Sequence, residues 1–149
     1  MNIDKLREEI TSDEGCRLEV YLDHMGYATI AVGHLITEHD PEFGSPVSTP
    51  ISQGRCDELF DQDIAIVIKE VKTLVDDFDS IPEDIQHVLC NLLFNMGKTR
   101  LSKFRNFLAA INRSDWVDAG EELKDSRYYT QVTNRANRLI ARLNSVGET

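Results

Sequence analysis

The stretch from Ser52 to Val75 places the tightest constraint on the fold of this chain. Leu59, Phe60, Ile64, Val67, Ile68, Val71, Leu74 and Val75 hold the spacing of one helical face, and Ser52 stands where a helix N-cap is expected. At ~1.5 Å per residue such a helix is ~33 Å long, enough to run as a spine from a small strand-bearing lobe to the rest of the protein. The residues before it cannot extend it. Pro41, Gly44, Pro46 and Pro50 fall between Glu38 and the helix, and they rule out regular structure over most of that span.

Upstream of this loop, Ile3, Leu6 and Ile10 predict a short N-terminal helix that ends between Thr11 and Gly15. Leu18, Val20 and Leu22 then alternate with Arg17, Glu19 and Tyr21, and a second strand-like run spans Tyr27 to Val32. The turn-like Asp23-His24-Met25-Gly26 joins them, so a hairpin is expected with an aspartate at its bend. Downstream, Pro82 suits a helix first turn, Ile85, Val88, Leu89, Leu92, Leu93 and Met96 form an apolar stripe, and Gly97 suits its C-terminal cap. Asn91 and Asn95 lie in that helix, where a buried amide needs a partner. Phe104, Phe107, Leu108 and Ile111 predict another helix, Ser114 is expected to cap one carrying Trp116, Ala119 and Leu123, and Thr133 to open the last, through Leu143. Residues 144–149 are expected to fray.

These elements predict an α+β fold with one domain over residues 1–149. Residues 13–50 would form a β-containing lobe, 51–75 the connecting helix, and 1–12 with 76–149 a mainly helical lobe, leaving a cleft between the lobes. No apolar run approaches the ~18 residues of a membrane span. The charged start, MNIDKLREEI, lacks a signal-peptide core, so accumulation in the cytoplasm is expected.

The formal net charge of −10 disfavours nucleic acid as a partner. Residues 38–84 carry thirteen acids against three bases, while residues 85–149 are net positive. Lys98, Arg100, Lys103, Arg105 and Arg113 read as solvated helix faces, whereas Arg135, Arg138 and Arg142 share one face of the last helix. Cys16, Cys56 and Cys90 are an odd number without CxxC spacing. They read as buried, reduced thiols, neither a disulfide framework nor a zinc site. No metal or cofactor is expected.

The chemistry concentrates between Asp13 and Leu35. Glu14 precedes Gly15 at the expected end of a helix, and Asp23 stands at the hairpin bend. Two carboxyls so placed can flank one cleft, the layout glycoside hydrolysis needs: one protonated to serve the leaving oxygen, one ionised to activate water or stabilise positive charge. Spacing alone is a weak signal, because acids at turns are common and usually solvated or capping.

The wording of the stretch narrows the choice. DEGCRLEVYLD followed by GYATIAVGHL resembles the phage-type lysozymes, the endolysins or muramidases of glycoside hydrolase family 24, and Glu14, Asp23 and Thr29 stand at the spacings of that family's catalytic signature. SQGRCDELFDQD, NLLFNMG and SRYYTQVTNRANRLI extend the resemblance over nearly the whole chain. It implies Glu14 as proton donor, Asp23 as base or electrostatic partner, and Thr29 as the hydroxyl holding the attacking water. It also implies that Arg135 faces Glu14, that Leu35, Phe94, Asn95, Phe104 and Arg127 contact substrate, and that His34 and Asp63 form a structural ion pair.

Three positions depart from the family pattern. Ala31 replaces a strand glycine, which a strand tolerates; Asn95 replaces a longer glutamine; and Met25 stands where relatives can carry an acid facing the arginine matched by Arg127. Tyr27, Tyr128, Tyr129 and Trp116 could stack on sugar, but such aromatics more often pack a core. The implied substrate is bacterial peptidoglycan, cut between N-acetylmuramic acid and N-acetylglucosamine. The implied setting is a monomer without stable membrane association, held in the host cytoplasm until lysis and then acting in the periplasm or cell wall, reached with a separate holin. A lytic transglycosylase and a non-catalytic wall-binding or virion component with the same fold are the alternatives, against which the intact Glu14, Asp23 and Thr29 stand.

Overall fold

The computed structural model describes residues 1–147. It is mainly helical with one small antiparallel sheet, the α+β class expected. The chain divides into two compact units, Ile3–Ile66 and Val67 onward together with residues 1–2.

In the first unit, α1 (Ile3–Glu14) buries Leu6 and Ile10 and stops at Gly15, whose φ of 76° lies in the left-handed region that ends helices. Strands β1 (Arg17–Leu22), β2 (Ala28–Ala31) and β3 (His34–Leu35) follow in the spatial order β1-β2-β3. Tyr21 faces Thr29 and Leu22 faces Ala28 across the first pair; Thr29 faces Leu35 and Ile30 faces His34 across the second. The register shifts between Arg17 and Tyr21. There the proline-bearing loop returns to β1 on its other edge, where Thr49 accepts from the Val20 N–H, Ser48 donates to Val20 and Ile51 donates to Leu18. That loop is therefore irregular in itself but tied to the sheet, with its prolines at an edge where a missing N–H costs little.

Ala31 corrects the expectation that a strand tolerates it without strain. Its φ is 56°, a conformation that costs an L-residue about 1–2 kcal/mol, and its side chain is buried. The chain turns there into the short β2–β3 connection at Gly33, so the backbone bends left-handed where the alternation pattern read as continuous strand.

Helix α2 (Gln53–Leu74) forms as its periodicity predicts, and the Ser52 hydroxyl accepts from the Arg55 N–H at 3.0 Å. The boundary between the units falls inside this helix, after Ile66, and α1 groups with the sheet.

In the second unit, a 3-10 turn (Phe78–Ser80) leads to α3 (Glu83–Met96), whose residues Ile85 to Leu93 are all buried. A helix apolar on one stripe usually leaves its other face wet; here neighbours cover it all round. Gln86 accordingly donates to the Phe78 carbonyl at 2.8 Å. Gly97, at φ 83°, closes α3 as expected. Helices α4 (Lys98–Leu101), α5 (Arg105–Asn112), α6 (Trp116–Lys124), α7 (Arg127–Gln131) and α8 (Thr133–Gly147) complete the unit.

Two expectations change here, and two short helices are new. Asp115, not Ser114, caps α6, its carboxylate accepting from the Asp118 N–H while Ser114 adopts a φ of 59°. Residues 144–147, expected to fray, continue α8; 148 and 149 of that stretch lie outside the described residues. The short α4 and α7 carry too few apolar positions to show a period.

Candidate active site

Glu14, Asp23 and Thr29 all lie in the unit Ile3–Ile66. Glu14 is the last residue of α1, and one carboxylate oxygen lies 3.6 Å from where a Cβ at Gly33 would stand. A Cβ there would make only an ordinary contact with this carboxylate, but any L-residue would strain a backbone at φ 61°.

Asp23 holds the hairpin bend together with its own side chain. Its Oδ1 accepts from the Met25 N–H and the Tyr27 N–H, both at 2.9 Å, and its backbone N–H donates to the Tyr27 carbonyl at 2.9 Å. Both side-chain bonds land on one oxygen, so the carboxylate is fixed in direction by the turn. Thr29, on β2, is only 4% exposed and donates its hydroxyl to the Tyr27 carbonyl at 2.9 Å. Its oxygen lone pairs can still accept a hydrogen bond from water.

Tyr21, which sequence reasoning left as an alternating strand residue, joins these groups. It pairs with Thr29 across the sheet, and its phenol is pushed above the ordinary tyrosine range chiefly by burial. Arg17, whose guanidinium lies 4.2 Å from the ring centroid, pulls the other way, and the negative charges of Glu14 and Asp23 both add to the upward push. One side chain thus feels both carboxylates, although they come from a helix end and a hairpin bend. Its only sequence signal was its place in the strand alternation between them.

His34 sits between two acids, donating or accepting through Nδ1 with Asp63 at 2.7 Å and through Nε2 with Asp40 at 2.9 Å. The hydrogen bond to Asp63 is the main force raising the imidazole to about 9; burial opposes it and Asp40 adds to it. Asp40 also accepts from the Thr37 N–H at 2.8 Å, and its carboxyl is lowered, with burial opposing that bond and the histidine. The pair expected from the sequence is therefore a triad. Asp40 had no signal, since it lies in the irregular loop. The same loop is fastened again by Glu42, which takes two hydrogen bonds from Arg55 at 2.9 and 3.0 Å.

The other expected contact residues have these settings. Leu35 is half exposed on β3, directly opposite Thr29. Phe94, Asn95, Phe104, Arg127 and Arg135 all belong to the second unit. Phe94 and Asn95 are part-buried in the last turn of α3, and Asn95 Oδ1 is a buried acceptor with no hydrogen-bond partner among the described residues. Phe104 precedes α5, and Arg127 opens α7 in an exposed position. Arg135 is buried, its Nε donating to Asn91 Oδ1 at 2.8 Å. Asn91, a buried amide that needs a partner, thus holds an arginine. Arg142, on the same face, pairs instead with Asp84 at 2.6 Å. No group of three or more His, Cys, Asp or Glu among the described residues is placed to hold a metal ion.

Residues 11–144 match the phage lysozyme family. The chain is 30% identical to a protein of Dictyostelium discoideum named probable T4-type lysozyme 2, over 93% of each chain. It is also 30% identical to the pre-baseplate central spike protein Gp5 of Enterobacteria phage T4, over 90% of this chain and 26% of that one. A third relative, the peptidoglycan hydrolase gp36 of Pseudomonas phage phiKMV, is 27% identical over 92% of this chain and 15% of its own length.

Proposed function

The chain belongs to the phage lysozyme family and is a hydrolase, and we propose that its substrate is bacterial peptidoglycan, cut at the β-1,4 bond between N-acetylmuramic acid and N-acetylglucosamine. Glu14 is the general acid: its carboxyl passes a proton to the leaving glycosidic oxygen as positive charge develops on the sugar. Asp23 stays ionised and faces that charge, and Thr29 accepts a hydrogen bond from the attacking water, which Asp23 helps to deprotonate.

The observation that carries this reading is the Asp23 carboxylate fixed by the Met25 and Tyr27 N–H groups at the hairpin bend, with Thr29 on the strand that leaves that bend and Glu14 at the end of the helix that leads into the hairpin. The division of labour follows from their supports. Asp23 is pinned by two N–H donors that suit an acceptor, and Glu14 ends the helix α1 with its carboxylate beside the Gly33 turn. Leu35, Phe94, Asn95, Phe104, Arg127 and Arg135 are proposed to contact the glycan, and the biological task is lysis of a phage host by a monomer that reaches the wall through a separate holin.

The test is turbidity loss of permeabilised bacteria, wild type against Glu14→Gln, with mass analysis of the released fragments. Reducing-end sugars from the wild type and no lysis by the variant are expected. Anhydro ends would make the protein a lytic transglycosylase instead, and comparable lysis by the variant would remove Glu14 from the role of acid.

A further inference from the structure

Cys16 and Cys56 read from the sequence as separate, buried thiols, yet their sulfurs lie 2.7 Å apart. Both are free thiols, and Cys16 is only part-buried. Forty residues of chain separate them, Cys16 in the corner between α1 and β1 and Cys56 in the first turn of α2, both inside the unit Ile3–Ile66. A disulfide needs its sulfurs at ~2.05 Å, so the sulfurs of this pair need an approach of under ~1 Å. A cavity of about 490 Å³ borders both sulfurs, with Val32 and Phe60 in its wall, which gives a small reagent access to them.

We propose that Cys16 and Cys56 are a redox-formed crosslink site, closed by a low-molecular-weight disulfide when the protein leaves a reducing compartment, and that the bond stabilises the corner carrying Glu14. The Cys16 thiolate attacks one sulfur of the small disulfide, forming a mixed disulfide and expelling one small thiolate. The Cys56 sulfur, losing its proton, then attacks the Cys16 sulfur and expels the second small thiol. Two electrons pass from the protein thiols to the reagent, whose disulfide is reduced to two thiols. Cys16 opens the sequence because it is the more exposed sulfur. Burial, and then the Cys16 sulfur beside it, push the Cys56 thiol up to about 12 in the reduced protein; burial persists once Cys16 is in the mixed disulfide, so the closing step accelerates as pH rises.

The bond would close a loop around the whole sheet and the loop tied to β1. A crosslink of that span restricts the unfolded chain far more than the folded one. This inference stands apart from the glycan reading, since thiol state and melting are read without substrate.

The experiment incubates reduced full-length protein with oxidised glutathione, quenches in acid, denatures, alkylates, and records intact mass, a peptide map and the melting temperature. Expected are the loss of two hydrogens, a single alkylated cysteine at Cys90, a Cys16–Cys56 peptide, and a rise in Tm of roughly 5–10 °C that dithiothreitol reverses. Cys56→Ala should stop at a glutathione adduct on Cys16 with no such rise. Three alkylated cysteines, two glutathione adducts in the wild type, a bond involving Cys90, or a crosslink with unchanged or lowered Tm would each overturn the proposal.

Discussion

The two units of this protein divide charge and exposed apolar side chains very unevenly. Residues 3–66 carry fourteen acids against four bases and hold the whole net charge of −10, whereas residues 67–149 balance twelve against twelve. The first unit also leaves Leu18, Leu22, Met25, Tyr27, Leu35, Phe43 and Val47 exposed. The second buries nine successive residues of α3 and fixes Arg135 through Asn91. The difference teaches that the unit rich in turns, exposed apolar groups and closely spaced acids, which carries the candidate catalytic residues, has less buried surface to hold it, whereas a unit built around a helix with nine successive buried residues is placed to supply stability.

The sharpest test of that contrast is Glu14→Gln. It should lower lysis by roughly two to four orders of magnitude, the worth of a general acid, while the melting curve stays within about 1 °C of wild type. A variant that melts early would show Glu14 serving the fold. The converse change is Leu89→Ala in the second unit, where the side chain is wholly buried. It should cost about 2–5 kcal/mol, seen as a lower denaturant midpoint, with lysis at low temperature nearly unchanged. Lysis lost in proportion to Glu14→Gln, in a variant still folded, would break the division of roles.

Smaller effects test the acid-lined histidine. Because the His34 imidazole is raised to about 9 in the folded protein against 6.5 unfolded, the folded state binds more protons between these values. Its stabilisation is complete below about 6.5 and declines as pH rises towards about 9. Asp40, lowered from 3.8, contributes above that value and loses its contribution as acid is added. Asp63→Asn should therefore lower stability near neutral pH by about 1–2 kcal/mol and flatten the decline between pH ~6.5 and ~9, with lysis retained. A melting temperature that falls with pH as steeply in the variant as in the wild type would separate the histidine from the effect.

The smallest expected effect concerns the charge imbalance itself. If the substrate is anionic wall, the acidic unit is repelled, and moderate salt, which shortens the screening length to ~8 Å at ~0.15 M, should raise the lysis rate by a few fold. A rate that falls steadily with salt, as a basic surface would give, would show that the net charge of this unit does not govern approach.

Much of this contrast was legible in the order of residues. The α2 periodicity, the hairpin bend at Asp23, the α3 stripe closed by Gly97 and the spacing of Glu14, Asp23 and Thr29 each arise from neighbours within a turn or two, where side-chain period and turn chemistry act directly. The Asp40 contact with His34, the return of residues 48–51 to β1 and the approach of Cys16 to Cys56 involve irregular chain or long separations, and no local rule encodes them. Ala31 lies between these cases: its alternation was real, but the turn beyond it forced a positive φ on a residue with a Cβ.

By itself, then, the sequence determined which segments are helical or extended, where the candidate acid and its partner stand, and how unevenly charge is spread, because these depend on residue type and short-range spacing. Tertiary structure alone decided that Tyr21 lies under the influence of both carboxylates, that His34 has two acids rather than one, that Asn91 grips Arg135, and that two of three cysteines meet. Each of those depends on packing that brings distant residues within a few ångströms, where a hydrogen bond or a buried charge outweighs the preference of any single residue.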